Sequence, residues 1–350
     1  MKNTVVRAAA LLTLTAPVAA QEAPEGAPSP NAIVDAAPQG DWVTIPAEDL
    51  LVMELAPDAA RNPRTVVIQL IPEPFSQGWV ENIRTLARAE WYDGITINRV
   101  QDNYVVQWGD PNHDNPEATG EAKPLPKGLN VMGEDEYTVT DIKGIVAIWP
   151  NADFEKPALR NGFAAAGHYP PTNLPERNSD ALLADRYAPF NTLSRGWPMG
   201  FSFGGGFWPV HCYGMVGVGR SYSPDTGSGA ELYTVIGHAP RHLDRNIALV
   251  GRIVSGMEHL SSLPRGSGAL GFYTEEEEDK RTPILSARIA SDLPPSEQPK
   301  FEYLSTESET FAHYTGARAN RRDPFFIVPA GGADICNIPV PVRRVAATQK

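Results

Sequence analysis

Between Trp91 and Pro111 two short runs, Ile95–Val100 and Tyr104–Trp108, flank the polar triplet Gln101-Asp102-Asn103, and this stretch restricts the fold more than any other. Branched and aromatic residues alternating with polar ones on both sides of a tight turn predict an antiparallel hairpin. Side chains in a strand point to opposite faces in turn, so Ile95, Ile97 and Arg99 are expected on one face, and Val105 and Gln107 together on a face of the second strand. Arg99 and Gln107 can then meet beside Tyr104, giving several hydrogen-bond donors against an apolar wall. A lone strand arginine is ordinarily a solvated or paired surface residue. The rest of the chain must therefore supply the reason to read this one as functional.

With 350 residues the chain has room for one large domain or two ordinary ones. Lys2 and Arg7 accompany an apolar run, Ala8 to Pro17, and small residues Val18-Ala19-Ala20 precede Gln21. That order predicts a secretory signal peptide over residues 1–20, hence an exported, periplasmic protein. No other stretch reaches the roughly 18 apolar residues of a membrane span, so the mature chain is not expected to cross a membrane. Removing residues 1–20 takes away two of 30 basic residues and none of 42 acidic ones, moving the net charge from −12 to −14. Such a balance argues against nucleic acid or an anionic lipid surface as partner. The two cysteines, Cys212 and Cys336, form an even set. In an oxidising compartment they suggest a disulfide, the competing reading being two unpaired buried thiols.

Residues 21–40, rich in Pro, Ala and Gly, read as a flexible leader, with order beginning near Asp41. Leu50–Leu55 and Thr65–Ile71 predict a hairpin. Trp79, Ile83, Leu86 and Ala87 recur at helical spacing between Ser76 and Glu90, with Ser76 as N-cap. Asp110, Asn112, Asp114 and Glu121 fit positions one, three, five and twelve of a calcium loop, but Asn115 stands where the turn needs glycine, and the segment reads as a polar surface loop. Ile142–Trp149 looks like a strand, and Tyr169–Pro175 and Asn178–Arg195 look like loop and short helical turns. Gly200-Phe201-Ser202-Phe203-Gly204 matches a nucleophile elbow, yet Arg195-Gly196-Trp197-Pro198 does not look like a buried strand and Gly205-Gly206 cannot start a helix, so a glycine-rich hairpin into Phe207–Tyr213 is expected. His238 and His242 have a zinc spacing broken by Pro240, with no third ligand evident. Gly266-Ser267-Gly268-Ala269-Leu270-Gly271 matches a dinucleotide fingerprint but follows the expected helix Gly256–Leu263 instead of a strand. No metal and no cofactor is predicted.

Three pieces of the opening segment, Tyr92-Asp93-Gly94, Asn98-Arg99 and Tyr104-Val105-x-Gln107-Trp108-Gly109-Asp110, resemble the signature of the cyclophilin-type peptidyl-prolyl isomerases at identical spacing. That signature runs Tyr-(Asp/Lys)-Gly, aromatic-His-Arg, four residues, Phe-Met-x-Gln-Gly-Gly-Asp. A second string agrees in order: Val218-Gly219-Arg220 resembles Met-Ala-(Asn/Arg), Gly229-Ala230-Glu231-Leu232-Tyr233 resembles Gly-Ser-Gln-Phe-Phe, and His242-Leu243-Asp244-Arg245-Asn246-Ile247 resembles (Trp/Phe)-Leu-Asp-Gly-Lys-His. Leu249–Met257 continues the match. The resemblance covers about Leu51–Leu293 once an insertion at about 138–213 is set aside.

The resemblance implies a mainly β fold: a closed eight-stranded antiparallel barrel capped by two helices, occupying residues 41–293 with a large insertion. Pro283–Ala290 would be its last strand, and 294–350 an extension packed on the domain, with Cys336 able to staple it to the insertion. It implies a peptidyl-prolyl cis-trans isomerase acting on Xaa-Pro bonds of exported polypeptides, with Arg99, Tyr104, Gln107 and Tyr233 as the catalytic set. Val105 and Leu243 would complete the proline pocket, Glu231 would hold the flanking peptide, and Gly219 and Arg220 would offer backbone pairing, with Val218, His242 and Ile247 as further contacts. The alternative on the same fold is a non-catalytic chaperone or scaffold that binds proline segments. Three departures bear on this. Glu231 puts a carboxylate in place of an amide and can pair with Arg99. Ile247 replaces a histidine, and His242 in place of tryptophan is expected to weaken binding of cyclosporin-type inhibitors more than turnover.

Overall fold

The structure, a computed structural model, describes residues 26–113, 115–140, 187–202 and 205–345. In chain order its first half holds α1 (Pro30–Asp35), β1 (Trp42–Thr44), β2 (Leu50–Leu55), β3 (Arg64–Leu70), α2 (Gln77–Arg88), β4 (Thr96–Val100) and β5 (Val105–Gly109). Then come β6 (Phe190–Ser194), β7 (Trp197–Ser202), β8 (Gly206–Pro209), β9 (Met215–Val218), β10 (Leu232–Val235) and β11 (Leu249–Ser255). The last elements are α3 (Met257–Ser261), β12 (Ile284–Ile289), β13 (Phe301–Leu304), α4 (Glu309–Ala319) and β14 (Val342–Arg344).

Eight strands form one antiparallel sheet in the order β12-β2-β3-β11-β9-β10-β5-β4. Its two edges approach each other: the Ile284 amide donates to Ile95 O at 2.9 Å, the Ile97 amide donates to Thr282 O at 2.9 Å, and Thr96 bridges Pro283. The sheet is thereby nearly closed into a barrel, which removes most of the exposed edge an open sheet would carry. Met53, Val66, Ile68, Ile97, Val106, Trp108, Val216 and Leu249 fill the interior. Each such aliphatic side chain contributes about 1.5–3 kcal/mol when fully buried.

The apolar stripe of α2 behaves as its spacing predicts, with Trp79, Ile83, Leu86 and Ala87 all buried. Its start differs from expectation. Ser76 adopts φ 53° and makes no side-chain cap bond; instead the Gln77 side-chain amide donates to Ile71 O at 3.1 Å and Phe75 O at 2.7 Å, tying the helix to the end of β3. The short α3 packs against β3 at the other flank.

Two smaller sheets sit outside the barrel, β1-β13-β14 and β6-β7-β8. The first joins the region before the barrel to the region after it. The flexible-leader expectation fails over its second half, because Ser29 Oγ accepts from the Ala32 amide at 3.2 Å, Pro30 starts a helical turn, and α1 packs on α4. In the insertion, residues 190–194 form a strand where loop and helical turns were expected. Arg195 (φ 48°) and Gly196 (φ 83°) turn the β6–β7 hairpin, and Trp197 is buried after all. Two consecutive positive φ values suit the twist of a two-residue hairpin. The glycine-rich hairpin into Phe207 is present as β7–β8, with Ser202 at its end opposite Gly206. Ile142–Trp149, Tyr169–Pro175, the first part of Asn178–Arg195, Asp114 and the signal-peptide residues lie outside the described residues.

Arg252 joins the barrel to both additions. From β11 it donates through Nε to Gln69 Oε1 at 2.8 Å and through Nη1 to the Gly196 carbonyl at 2.7 Å, with its guanidinium over the Trp197 and Tyr303 rings. Cys212 and Cys336 are bonded in a disulfide, Cα atoms 5.1 Å apart, which fastens the end of the insertion to the carboxy-terminal extension. No helix among the described residues is long and apolar enough to cross a membrane.

Candidate active site

The β4–β5 hairpin does form, but not with the simple alternation of its sequence. Ile97 pairs with Trp108 and Arg99 with Gln107, so Asn98 is an extra residue on β4. A bulge of this kind shifts the side chains beyond it to the opposite face. Ile97 therefore points into the barrel core while Arg99 emerges with Gln107 on the outer surface, which corrects the expectation that Ile95, Ile97 and Arg99 share a face. Asn98 is buried and its side-chain amide donates to Gly109 O at 3.0 Å, which holds the bulge in place.

Three carbonyl-type oxygens fix the Arg99 guanidinium. Nε donates to Leu270 O at 2.7 Å, Nη1 to Gln107 Oε1 at 3.1 Å, and Nη2 to Gln101 Oε1. The rings of Tyr104 and Phe272 lie on it, each centroid 5.5 Å from Cζ. Of five guanidinium N–H groups, one on each terminal nitrogen has no partner among the described residues. Burial lowers the Arg99 pKa from its ordinary value, against a smaller upward effect from Tyr104 and Tyr233. An arginine starts so far above neutrality that it stays a cation there.

Beside this cation, Val105, Tyr233, Val235 and Leu243 form a separate buried cluster, with Tyr104 and Ile247 packed against it. Tyr104, Val105, Tyr233, Leu243 and Ile247, together with Arg99, Gln107 and Arg220, line an open cleft of about 720 Å³. The hairpin presents Val105 and Gln107 and β10 presents Tyr233, directly opposite Gln107 in the sheet register. The turn Arg241–Leu243 supplies Leu243. Close approach demands a glycine at one point: a Cβ on Gly237 would overlap the backbone of Asn103, where the β4–β5 turn rests.

Other expected contacts fall differently. Val218 belongs to the barrel core, not to the cleft. Glu231 is buried and its Oε1 accepts from the Asp110 amide at 2.9 Å, so it turns toward Gly109 and Asp110, whereas the resemblance placed it against the flanking peptide and left a pairing with Arg99 open. The Gly219 amide donates to Glu231 O at 2.8 Å and is committed to the sheet. Arg220 lines the cleft, its guanidinium spanning to Asn246 O at 2.8 Å. His242 is exposed and stacks on Tyr104 at 6.2 Å, forming a rim.

Sequence reasoning missed the layer behind Tyr233. His211, fully buried at the end of the insertion, places Nε2 at 3.0 Å from the Tyr233 hydroxyl and Nδ1 at 3.0 Å from Asp244 Oδ1. Asp244 also accepts from the His211 amide at 3.0 Å and from Arg241 Nε at 2.6 Å. Burial alone would raise the Asp244 pKa, but the hydrogen bonds from His211 and the charge of Arg241 outweigh it and hold the carboxyl below its usual range. No short-range pattern links residues 211, 233 and 244. The one hint was a histidine next to a cysteine already suspected of bonding.

The calcium-template residues close their own loop: Asp110 Oδ1 accepts from the Asn112 amide at 3.2 Å and Asn112 Oδ1 from the Gly120 amide at 2.9 Å. Among the described residues no group of three or more His, Cys, Asp or Glu is gathered as a metal ion needs. The Gly266–Gly271 segment folds over the hairpin, Gly266 N donating to Val100 O at 3.0 Å, and brings Leu270 to Arg99.

A family profile described as cyclophilin type peptidyl-prolyl cis-trans isomerase/CLD matches residues 61–291. The comparison with curated protein sequences finds no match. Among solved structures, the fold is similar to that of the cyclophilin AquaCyp293 from Hirschia baltica, at 17% identity and TM-score 0.56, covering 89% of this chain and 97% of that one. A Cryptosporidium parvum cyclophilin type peptidyl-prolyl cis-trans isomerase, crystallised with the dipeptide Ala-Pro, aligns at 10% identity and TM-score 0.36 over 68% of this chain and 98% of that one.

Proposed function

The chain belongs to the cyclophilin-type peptidyl-prolyl cis-trans isomerases, and from that membership we propose that it accelerates rotation about Xaa-Pro bonds of exported polypeptides by a hydrogen bond from Arg99 to the twisted amide. One observation carries the mechanism: at the edge of an apolar slot, two Arg99 N–H groups have no partner among the described residues, while the other three are held by Leu270, Gln107 and Gln101.

Uncatalysed isomerisation takes tens to hundreds of seconds because amide resonance resists rotation. Halfway round, the prolyl nitrogen regains a localised lone pair and becomes an acceptor that the planar amide lacks. A donor aimed there favours the transition state over either planar isomer, and only such a difference accelerates the reaction. Each 1.36 kcal/mol of difference is worth a factor of ten. The pyrrolidine ring would rest on Val105, Tyr233 and Leu243, while Gln107 both steadies Arg99 and faces the flanking peptide. Prior fixation of the guanidinium lowers what must be ordered during turnover. Proton transfer plays no part, so the reaction needs no group titrating near neutrality.

Export is supported by the Lys2, Arg7 and Ala8–Pro17 order and by the Cys212–Cys336 disulfide, a bond that persists in oxidising compartments. A protease-coupled assay on a Xaa-Pro tetrapeptide tests the mechanism. Arg99→Ala is expected to lose about a hundredfold or more in kcat/KM while keeping the wild-type circular dichroism spectrum; near wild-type turnover in that variant would remove Arg99 from the mechanism.

A further inference from the structure

We propose that His211 is a positioning residue for the isomerase site, acting through Tyr233 by holding its hydroxyl away from the proline slot. The inference rests on the isomerase reading of the cleft and adds a residue from the insertion to it.

A tyrosine in the wall of an apolar slot poses a problem that a phenylalanine does not. Its hydroxyl needs a partner, and one left unsatisfied when buried destabilises the fold. In this protein the partner lies behind the slot. His211 receives its place from two bonds to one carboxylate, the amide and Nδ1 both reaching Asp244 Oδ1 at 3.0 Å. With Nδ1–H donating to Asp244, Nε2 carries the lone pair and the Tyr233 O–H donates to it across 3.0 Å. The planes of the tyrosine and imidazole rings are nearly parallel, at 14°. A Cβ on Gly217, the residue opposite Tyr233 in the sheet, would overlap the hydroxyl, so the glycine provides the space in which this bond forms.

The result is an aromatic face turned to substrate and a polar edge turned to the interior. The same contacts reach the substrate-facing turn from the other side, because Asp244 sits one residue beyond Leu243 and Arg245 lies over the Trp208 ring at 4.5 Å. The insertion thus sets both the Tyr233 wall and the Leu243 wall.

Two substitutions separate the contacts. In His211→Asn the side-chain amide nitrogen takes the place of Nδ1 and keeps Asp244 but cannot reach Tyr233. In His211→Gln the side-chain oxygen takes the place of Nε2 and keeps Tyr233. We expect His211→Asn to raise KM for a Xaa-Pro tetrapeptide roughly tenfold, with kcat changed about twofold at most, and His211→Gln to restore KM to within about twofold of wild type. In a Tyr233→Phe background the His211→Asn change should no longer move KM, since there is no hydroxyl to hold. The proposal is overturned by a wild-type KM in His211→Asn, by an equal effect in the Tyr233→Phe background, or by a tenfold loss in His211→Gln. Should His211→Asn fail to fold in a thermal melt, the His211→Gln result alone decides. Peptide Kd, measured by titration on the same variants, keeps this test apart from the isomerase reading: a wild type that binds without turnover refutes the latter, while the Kd series still tests His211.

Discussion

The guanidinium of Arg252 lies 4.7 Å from the ring of Trp197, across the boundary between the barrel and its insertion. A buried cation answered by an aromatic face, a backbone carbonyl and a side-chain amide has its pKa lowered, to about 10, chiefly by burial. It stays charged at neutral pH and supplies hydrogen bonds that no neutral side chain of its shape provides. Arg252→Ala is expected to destabilise the fold by about 3 kcal/mol, read as a lower midpoint in urea. The kcat/KM measured well below that midpoint should change little, because Arg252 does not touch the cleft.

Arg99→Lys tests whether charge alone suffices. An ammonium is a single point of charge on a flexible stem and cannot satisfy Leu270 O, Gln107 and Gln101 while also aiming a donor at substrate. The lysine variant should fall close to Arg99→Ala, about a hundredfold below wild type in kcat/KM. Recovery of more than a tenth of wild-type turnover would mean that positive potential, not aimed hydrogen bonding, is what the site provides.

Acid should loosen the site from the loop that grips Arg99. Glu277 accepts from the Ser267 amide at 3.0 Å and from Lys280 Nζ at 2.6 Å, and these bonds, the lysine first, hold its pKa down to about 2. A carboxyl depressed in the folded state stabilises above its unfolded value, about 4.3, and the contribution disappears as pH falls toward the folded one. Glu277→Gln should lower kcat/KM a few-fold at neutral pH as the Gly266–Phe272 loop relaxes. Its activity between about pH 4 and 2 should then fall less steeply than wild type; identical acid limbs would show that Glu277 does not control this loop.

The disulfide spans 124 residues. Closing a loop of that size restricts the unfolded chain by about 4–5 kcal/mol in the chain-entropy view. Cys336→Ser is therefore expected to lose that much stability in denaturant titration, and reductant should shift the wild type to the same midpoint while leaving the variant unmoved. A reductant effect on the variant would point to some other thiol chemistry.

The barrel and its cleft were legible wherever the determining contacts are local. The tight turn at Asp102-Asn103, the helical stripe of α2 and the spacing from Tyr92 to Asp110 are each written within a few residues. What escaped depends on distant partners. Trp197 looked like part of a loop because its burial comes from Arg252 and the barrel wall. Residues 30–35 looked like linker because their packing surface is α4, nearly 280 positions away. Glu231 could have paired with Arg99 on sequence alone, but the sheet register turns it to Asp110. His211 could not be connected to Tyr233 and Asp244 without knowing that the insertion returns beneath the cleft.

The extra residue at Asn98 also sets what kinds of genetic change this site can absorb. Which side of the sheet the arginine occupies follows from its pairing with Gln107, not from which residue fills the place between it and Ile97. Replacement at 98 alters a supporting contact, and a single-codon deletion there would restore plain alternation, with Ile97 still opposite Trp108 and the guanidinium still beside Gln107, at the cost of the Asn98 bond to Gly109. Descendants of this gene can therefore vary that letter, or even lose it, so long as the arginine keeps Gln107 as its neighbour across the hairpin.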